Sequence, residues 1–441
     1  MTAPTSTSKR ILALAVPALG ALVAQPLFVM TDTAMVGHLG ESVLAGLSIG
    51  ATVVTTLVGL MVFLAYTTTP LVARRLGAGD LPGAVRAGID GMWLGLGCGI
   101  ALLLLGLAIA PSVVNAFTED PFVREAAMSY LTVSLWGLPG MLLVIAGTGL
   151  LRGLQDTKTP LVVAVGGAIV NAGLNALLIY GAQLGIAGSA LGTAIAETLM
   201  AVVYVLVAMQ AARDNGVSIG PGIGKPREAL TASSLMILRT VTLRIALLLL
   251  TWAGAQLGVS ELAALQVTYT VYNVLVFTLD ALAIAAQAII GHDLGAGDGS
   301  AVKRLVRILV WWGIGLGVLL LLLTAALSPV LGHLFVTDYA VLDLLPGALL
   351  VMALFLPIGG VVFVLDGVLI GAGDVKYLAV AGVVTLAVFA AAVFALLGAD
   401  PGGQAGVNLL WAAFGLFLAA RAATLVLRVV GDRWIVLGAA R

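Results

Sequence analysis

Asp32 is the residue in this chain with the clearest capacity for chemistry. It stands in FVMTDTAMVGHLG, residues 28–40, among Met, Val, Phe and Leu, at the end of an apolar run that begins at Ile11. A carboxylate in hydrocarbon costs about 2.5–3.5 kcal/mol on insertion scales, so it is expected to face a cavity, a partner or a proton path. Asp32 lies roughly five residues, about 7–8 Å, from the nearer end of its helix. It is therefore within reach of protons from one side of a membrane, and its apolar surroundings let it exchange between charged and protonated forms. Asn171 and Asn175 are four apart, share a helical face and bring an amide to about the depth of Asp32. Thr193 and Glu197 continue the polar track on the following run, with Glu197 near the middle as a second candidate proton site. Later runs carry Arg239, Arg244, Asp280 and Asp366. Arg239 and Asp280 fall at comparable depth on consecutive runs, and a neutralising ion pair is favoured over contact with substrate. Asp366 lies close to the end of its run, where gating and structural hydrogen bonding both fit.

These residues need elements that hold them at depth, and composition says what the elements are. The chain has 441 residues, 61% hydrophobic and 10% charged, with a mean hydropathy of +1.15. A soluble domain carries about 25% charged residues, so the solvent here is lipid. Stretches long enough to cross a bilayer occur at 11–37, 47–73, 84–110, 122–151, 159–180, 186–212, 229–257, 262–290, 302–329, 340–371, 376–397 and 404–430. Lys9 and Arg10 before the first run resemble a secretory signal, but the run is long, lacks a clear cleavage site and reads as an uncleaved first helix.

With the N-terminus inside, the inner loops hold Arg74, Arg75, Arg86, Arg152, Lys158, Arg213, Lys225, Arg227, Lys303, Arg304, Arg307 and Lys376. The final segment adds Arg428, Arg433 and Arg441. The outer loops hold Glu41, Glu119, Asp120, Glu261, Asp338, Asp343 and Asp400, with Arg124 the exception. This is the positive-inside pattern, and it predicts both termini in the cytoplasm.

The chain is two copies of one unit. RRLGAGDLPGAVRAG at 74–88 and HDLGAGDGSAVKRLV at 292–306 share LGAGD, displaced by 218 residues. The same displacement aligns GESVLAGLSI (40–49) with GVSELAALQV (258–267). It also pairs Gly95 with Gly313, Gly99 with Gly317, Pro139 with Pro357, Asp156 with Asp374 and Lys158 with Lys376. Six spans per copy give both halves the same topology, an axis along the membrane normal and a substrate cavity between them. The expected organisation is an N-terminal lobe at 1–212, a cytoplasmic linker at 213–228 and a C-terminal lobe at 229–441. Within the linker, GPGIGK lacks both the spacing and the preceding strand of a phosphate loop. The glycine pairs 91/95 and 95/99 are expected to serve packing inside the bundle rather than dimerisation.

The repeat sharpens the case for Asp32, because its counterpart at the same displacement is Leu250. Packing common to both copies therefore does not explain the carboxylate. Pro17 and Pro26 lie in the same helix, and each removes a backbone hydrogen bond and favours a kink. A kinked helix carrying a titratable group is a candidate two-state element, and a static kink has similar weight. One cysteine, Cys98, permits no disulfide framework. His38, His292 and His333 are scattered over loop positions, so no metal site and no catalytic constellation is expected.

Several stretches together carry a family resemblance: PLFVMTDTAMVGHLG, GLLRGLQDTKTP, ILRT and LDALAIAAQAIIGHDLGAGD. Over almost the whole chain the sequence resembles the multidrug and toxic compound extrusion (MATE) transporters, in their DinF-like branch. The resemblance implies an all-α integral membrane protein, V-shaped, with twelve transmembrane helices in two six-helix lobes. It also implies export of cationic or amphipathic compounds by cation antiport, usually of protons. The family's first-helix aspartate corresponds to Asp32 and its bending proline to Pro17. The family's polar pair on the fifth helix, often Asn and then Asp, corresponds to Asn171 and Asn175. The second member is Asn here, which leaves Asp32 as the principal carboxylate and weakens a Na⁺ site that needs two.

The expected function is thus a proton-coupled multidrug exporter. It has no enzymatic activity and no cofactor beyond the coupling ion, with Na⁺ as the alternative ion. Phe28, Met30, Met35 and Tyr66 suit flat amphipathic cations, since Met adapts to varied shapes, although at helical spacing such residues usually pack. A lipid-linked substrate flippase is the rival, and it would need a cationic cavity that the few embedded arginines do not suggest. Expected partners are the small substrates and membrane lipids, with no nucleic acid. A single chain suffices as a monomer, in a bacterial cytoplasmic (inner) membrane.

Overall fold

The computed structural model describes residues 7–222, 226–399 and 401–439, and among them every regular element is a helix. The first half contains α1 (Thr7–Gly37), α2 (Glu41–Leu60), α3 (Phe63–Gly77), α4 (Leu81–Phe117), α5 (Pro121–Leu135), α6 (Leu138–Gly153), α7 (Lys158–Asn175) and α8 (Gly185–Asp214). The second contains α9 (Pro226–Leu257), α10 (Val259–Gly295), α11 (Gly299–Leu331), α12 (Tyr339–Leu354), α13 (Leu356–Gly371), α14 (Val375–Ala399) and α15 (Gly403–Val430). Contacts divide the chain into two compact units, built mainly on Leu12–Ala229 and Leu230–Leu437. Among the described residues, ten stretches are long and apolar enough to span a membrane, and the number is twelve if each of two bent pairs counts as one span.

The bent pairs refine the sequence reading, which has 122–151 and 340–371 as single runs. The pair α5 and α6 bends by 49° and the pair α12 and α13 by 45°. Pro139 and Pro357, at equivalent places in the repeat, are the cause. Neither can donate to the carbonyl four residues back, and each helix breaks just ahead of its proline. By contrast, α1 continues as one helix through Pro17 and Pro26.

The repeat is visible in how the corners are built. Gly79 and Gly297 adopt φ of 79° and 82°, a left-handed conformation that suits glycine. The next residue then caps a helix: Asp80 Oδ1 accepts from the Gly83 amide at 2.9 Å, and Asp298 Oδ1 from the Ala301 amide at 2.9 Å. Exposed Asp298 lies outside the spans, and the Ala301 amide and then the Ser300 hydroxyl hold its carboxyl below the ordinary carboxylate range. The shared LGAGD motif is thus a turn followed by a cap.

Glycine also sets the helix spacing. A Cβ on Gly95 would stand 2.8 Å from the Leu142 carbonyl oxygen, and one on Gly99 2.6 Å from Pro139 Cα. In the second half, Gly313 meets the Gly360 carbonyl oxygen at 2.5 Å and Gly317 meets Pro357 Cα at 2.6 Å on the same construction. These are the same two contacts, displaced by 218 residues. The backbones of α4 and α6, and of α11 and α13, therefore touch with no side chain between them, as small residues allow in lipid.

The stretch after α8 is tied to α4. Arg86 Nη1 donates to the Ser218 carbonyl at 2.7 Å, Trp93 Nε1 to the Ile219 carbonyl at 2.9 Å and the Gly222 amide to Asp90 Oδ1 at 3.0 Å. Residues 223–225, with Lys225 of the expected linker, lie outside the described residues, as do Asp400, Arg441 and the side chain of Arg227.

Candidate functional site

The site begins on α1, where the Asp32 side chain is turned inward and left only 6% exposed. Its Oδ1 accepts from Asn175 Nδ2 on α7 at 2.9 Å and from the Ser189 hydroxyl on α8. The Tyr130 hydroxyl of α5 faces the same carboxylate. Asn175 Nδ2 also donates to Asn171 Oδ1 at 3.3 Å, and Asn171 Nδ2 donates to Thr193 Oγ1 at 3.0 Å. A chain of hydrogen bonds therefore runs from Thr193 through both asparagines to the carboxylate. An ionised carboxylate only accepts, so the Asn175 amide nitrogen must point at it. This leaves Asn175 Oδ1 buried without a hydrogen-bond partner among the described residues.

Local structure explains the placement. α7 gives way directly after Asn175 to a π-helical turn, Ala176–Gly181, whose wider hydrogen bonding is often found at functional positions. Gly188 of α8 lies against the backbone of Leu178 in that turn, which brings the neighbouring Ser189 up to Asp32. Gly192, one turn on, lies directly against Asn175 Oδ1. Gly192→Ala is accordingly expected to push the Asn175 amide off Asp32 and destabilise the protein by about 1.5–3 kcal/mol, the value of a hydrogen bond to a charged group. Gly173→Ala on α7, where a Cβ meets open space, serves as the control and should be neutral or slightly stabilising. Thermal unfolding of both variants in detergent distinguishes the two outcomes.

The partners of Asp32 among the described residues are all uncharged. A carboxylate so held, when ionised, is a negative charge that a mobile cation can neutralise. Glu197 is buried two turns beyond Ser189 on α8, 6% exposed, and takes no part in the hydrogen-bond chain. Of the four apolar candidates, Phe28 is buried, Met35 packs against the cluster containing Val36 and Tyr130, Tyr66 is half-buried and Met30 is 66% exposed. Phe28 and Met35 are thus core-facing.

The second unit has a different polar centre. Asp366 Oδ2, on α13, accepts from Arg239 Nη2 of α9 at 3.0 Å and from Arg421 Nη2 of α15 at 2.6 Å, and all three residues are buried. Asp280, half-buried on α10, is the partner that depth suggests for Arg239; Asp366 is a partner that depth along the sequence does not suggest. Asp366 is therefore the acceptor of a two-arginine ion-pair cluster.

Displacement by 218 residues makes the contrast between the units explicit. Asp32, Tyr130, Asn171, Asn175, Ser189 and Thr193 correspond to Leu250, Ala348, Phe389, Val393, Val407 and Trp411. All six of the latter belong to one hydrophobic core in the second unit. In the other direction, Arg239, Asp366 and Arg421 correspond to Ala21, Thr148 and Val203. The Asp32 centre is apolar in the other half, and the positions of the Asp366 cluster carry no charge in the first half, where Thr148 instead donates to the Tyr204 hydroxyl at 2.9 Å.

Three members of these centres escape the sequence reading. Ser189 was detectable, since it precedes Thr193 by four residues and shares its face. Arg421 stands in an apolar run as Arg239 does, and the same rule on embedded charges applies to it. Tyr130 carries no comparable signal, because an aromatic residue within a span is ordinary.

The MatE family model matches residues 17–177 and again 236–396, once in each copy of the repeat. The chain is 30% identical over 443 residues to Protein DETOXIFICATION 44, chloroplastic, of Arabidopsis thaliana, covering 96% of this chain and 81% of that protein. It is 29% identical over 430 residues to DNA damage-inducible protein F of Escherichia coli (strain K12), with 96% and 92% covered. Among solved structures, its fold matches a multidrug resistance MATE family transporter of the MOP superfamily in an outward-facing conformation. That match has a TM-score of 0.87 at 18% identity, with 97% of each chain covered.

Proposed function

The chain belongs to the MatE family of membrane transporters, and from that premise we propose that it exports small organic cations by antiport against protons, with Asp32 as the coupling group. The observation that carries this reading is the buried Asp32 carboxylate, whose partners among the described residues are all neutral. Such a group can be neutralised by an arriving proton or by an arriving organic cation, and each displaces the need for the other.

In the charged form Asp32 accepts from Asn175 and Ser189. A proton from the exterior turns one carboxylate oxygen into a donor, and the present orientation of Asn175 then opposes hydrogen to hydrogen. Asn175 Oδ1, buried and unbonded, becomes the acceptor once its amide turns over. The turn costs Asn175 its bond to Asn171 and loosens the chain that leads to Thr193. The cation loses its counter-charge and leaves, and α1 bends near Pro17. Loss of the proton to the cytoplasm restores the charged site for the next substrate. Glu197 is a reserve proton site in this scheme, and Asp366 with its arginines is structural. The two termini are cytoplasmic, the membrane is a bacterial inner membrane and one chain is the working unit.

The arrangement of arginines argues against the flippase reading. Arg239 and Arg421 both bond Asp366 within the second unit, whereas a carrier of lipid-linked pyrophosphate needs guanidinium groups open to its cargo.

The test uses proteoliposomes loaded with a fluorescent cationic dye, with either a pH gradient or a Na⁺ gradient imposed. Dye movement driven by the pH gradient alone is the expected result. Movement driven by Na⁺ alone keeps the transporter and replaces the coupling ion. No coupled movement across several cationic dyes overturns the proposal in favour of a different cargo.

A further inference from the structure

Along α1, several side-chain contacts tie it to the neighbouring helices α7 and α8. α7 meets it at successive points in the same chain order, so the two helices run in the same direction. Leu161 lies on Gly20, Asn175 bonds Asp32 and the Tyr180 hydroxyl donates to the Met35 carbonyl at 2.8 Å. The first contact of this series is at the start of α7, where Thr157 Oγ1 donates to the Ala13 carbonyl at 3.4 Å.

That acceptor has a particular history. In an unbroken helix the Ala13 carbonyl takes the N–H of residue 17, and residue 17 is proline, which has none. The carbonyl is left over by Pro17, and Thr157 supplies the missing donor. The donor is equally unusual. Thr157 is the N-cap of α7, where a threonine side chain ordinarily accepts from the first turn, yet it makes no such bond. Asp156 does the capping instead, with Oδ1 accepting from the Lys158 amide at 2.9 Å and the Thr159 amide at 3.0 Å. Thr157 is 2% exposed, so its hydroxyl has no water to fall back on. The repeat supports the pairing of the two residues: the counterpart of Pro17 is Leu235 and that of Thr157 is Val375. Where the proline is absent, the hydroxyl is absent too.

We propose that Thr157 is a positioning residue that clasps α1 at the carbonyl freed by Pro17, and that releasing this clasp is part of the bending of α1 during transport. The proposal rests on the reading of α1 as the helix that moves. The clasp keeps α1 straight beside α7 while its one bond holds, and the bond is weak enough to open at modest cost.

The experiment is hydrogen exchange of residues 12–22 in the full-length protein in lipid nanodiscs, with four variants beside wild type. Thr157→Val removes the hydroxyl at constant shape and is expected to speed exchange about fivefold, the factor that one net hydrogen bond supplies. Thr157→Ser, which keeps the hydroxyl, is expected to match wild type. Pro17→Ala restores the N–H that satisfies Ala13 within α1, so Pro17→Ala with Thr157→Val is expected to exchange like Pro17→Ala alone. Unchanged exchange in Thr157→Val overturns the proposal, and so does an equal increase with and without Pro17. These rates do not depend on which group couples transport. Retained coupling in Asp32→Asn would therefore sink the Asp32 reading without moving them, and loss of the clasp would leave the Asp32→Asn result standing.

Discussion

Asp32→Asn is expected to reduce gradient-driven efflux to the level of empty liposomes, with the folded protein still present in the membrane. Asn keeps the size of the side chain and its capacity to accept from Ser189, so the hydrogen-bonded surroundings survive. It removes the single negative charge and the ability to exchange a proton. It also removes the cost of keeping an unpaired carboxylate out of water, so the variant should melt no lower than wild type. The measurement is dye efflux under an imposed pH gradient, with a melting curve of the same preparation. Efflux at the wild-type rate would remove Asp32 from the coupling step. A collapsed melting curve would show that its charge is structural.

Asp366→Ala is expected to fail in the opposite way. Asp366 is the acceptor that Arg239 and Arg421 share within the second unit. Removing the acceptor takes from the buried Arg421 guanidinium the carboxylate it bonds, and breaking such a pair costs about 3–5 kcal/mol. The loss should appear as a large fall in melting temperature and in yield, whereas dye movement by the fraction that folds stays coupled. Replacing Asp366 and Arg421 together with well-packed apolar residues should recover much of the stability, because the Arg421 charge is then no longer buried without its acceptor. A wild-type melting temperature for Asp366→Ala would mean that the cluster contributes little to holding α9, α13 and α15 together. Asp32 and Asp366, both buried, thus make separable predictions, one of function without instability and one of instability first.

The sequence makes the helical, twice-repeated architecture legible because hydrophobicity, loop charge and the LGAGD register all bear on the same spans. It makes Asp32 and its asparagines legible because a charge in an apolar run is rare and because the repeat supplies its own control in Leu250. It is less informative where the partner is distant and ordinary. Tyr130 joins the site only because α5 packs beside α8, and Arg239 finds Asp366 across 127 positions of sequence. The bends at Pro139 and Pro357 stay hidden because each proline sits in an apolar run of the same composition on both sides. Thr157 reads as a routine cap until the direction of its hydroxyl is known.

The glycine contacts have a mechanical meaning. Between α4 and α6, and between α11 and α13, main chain lies on main chain at paired positions. An interface without interposed side chains has no rotamers to re-sort and little room to slide, since close-packed interiors deform poorly. These helix pairs are the stiff members of their units. Compliance must then collect elsewhere, and α1, threaded with two prolines and held to α7 and α8 by polar bonds, is a span built to yield.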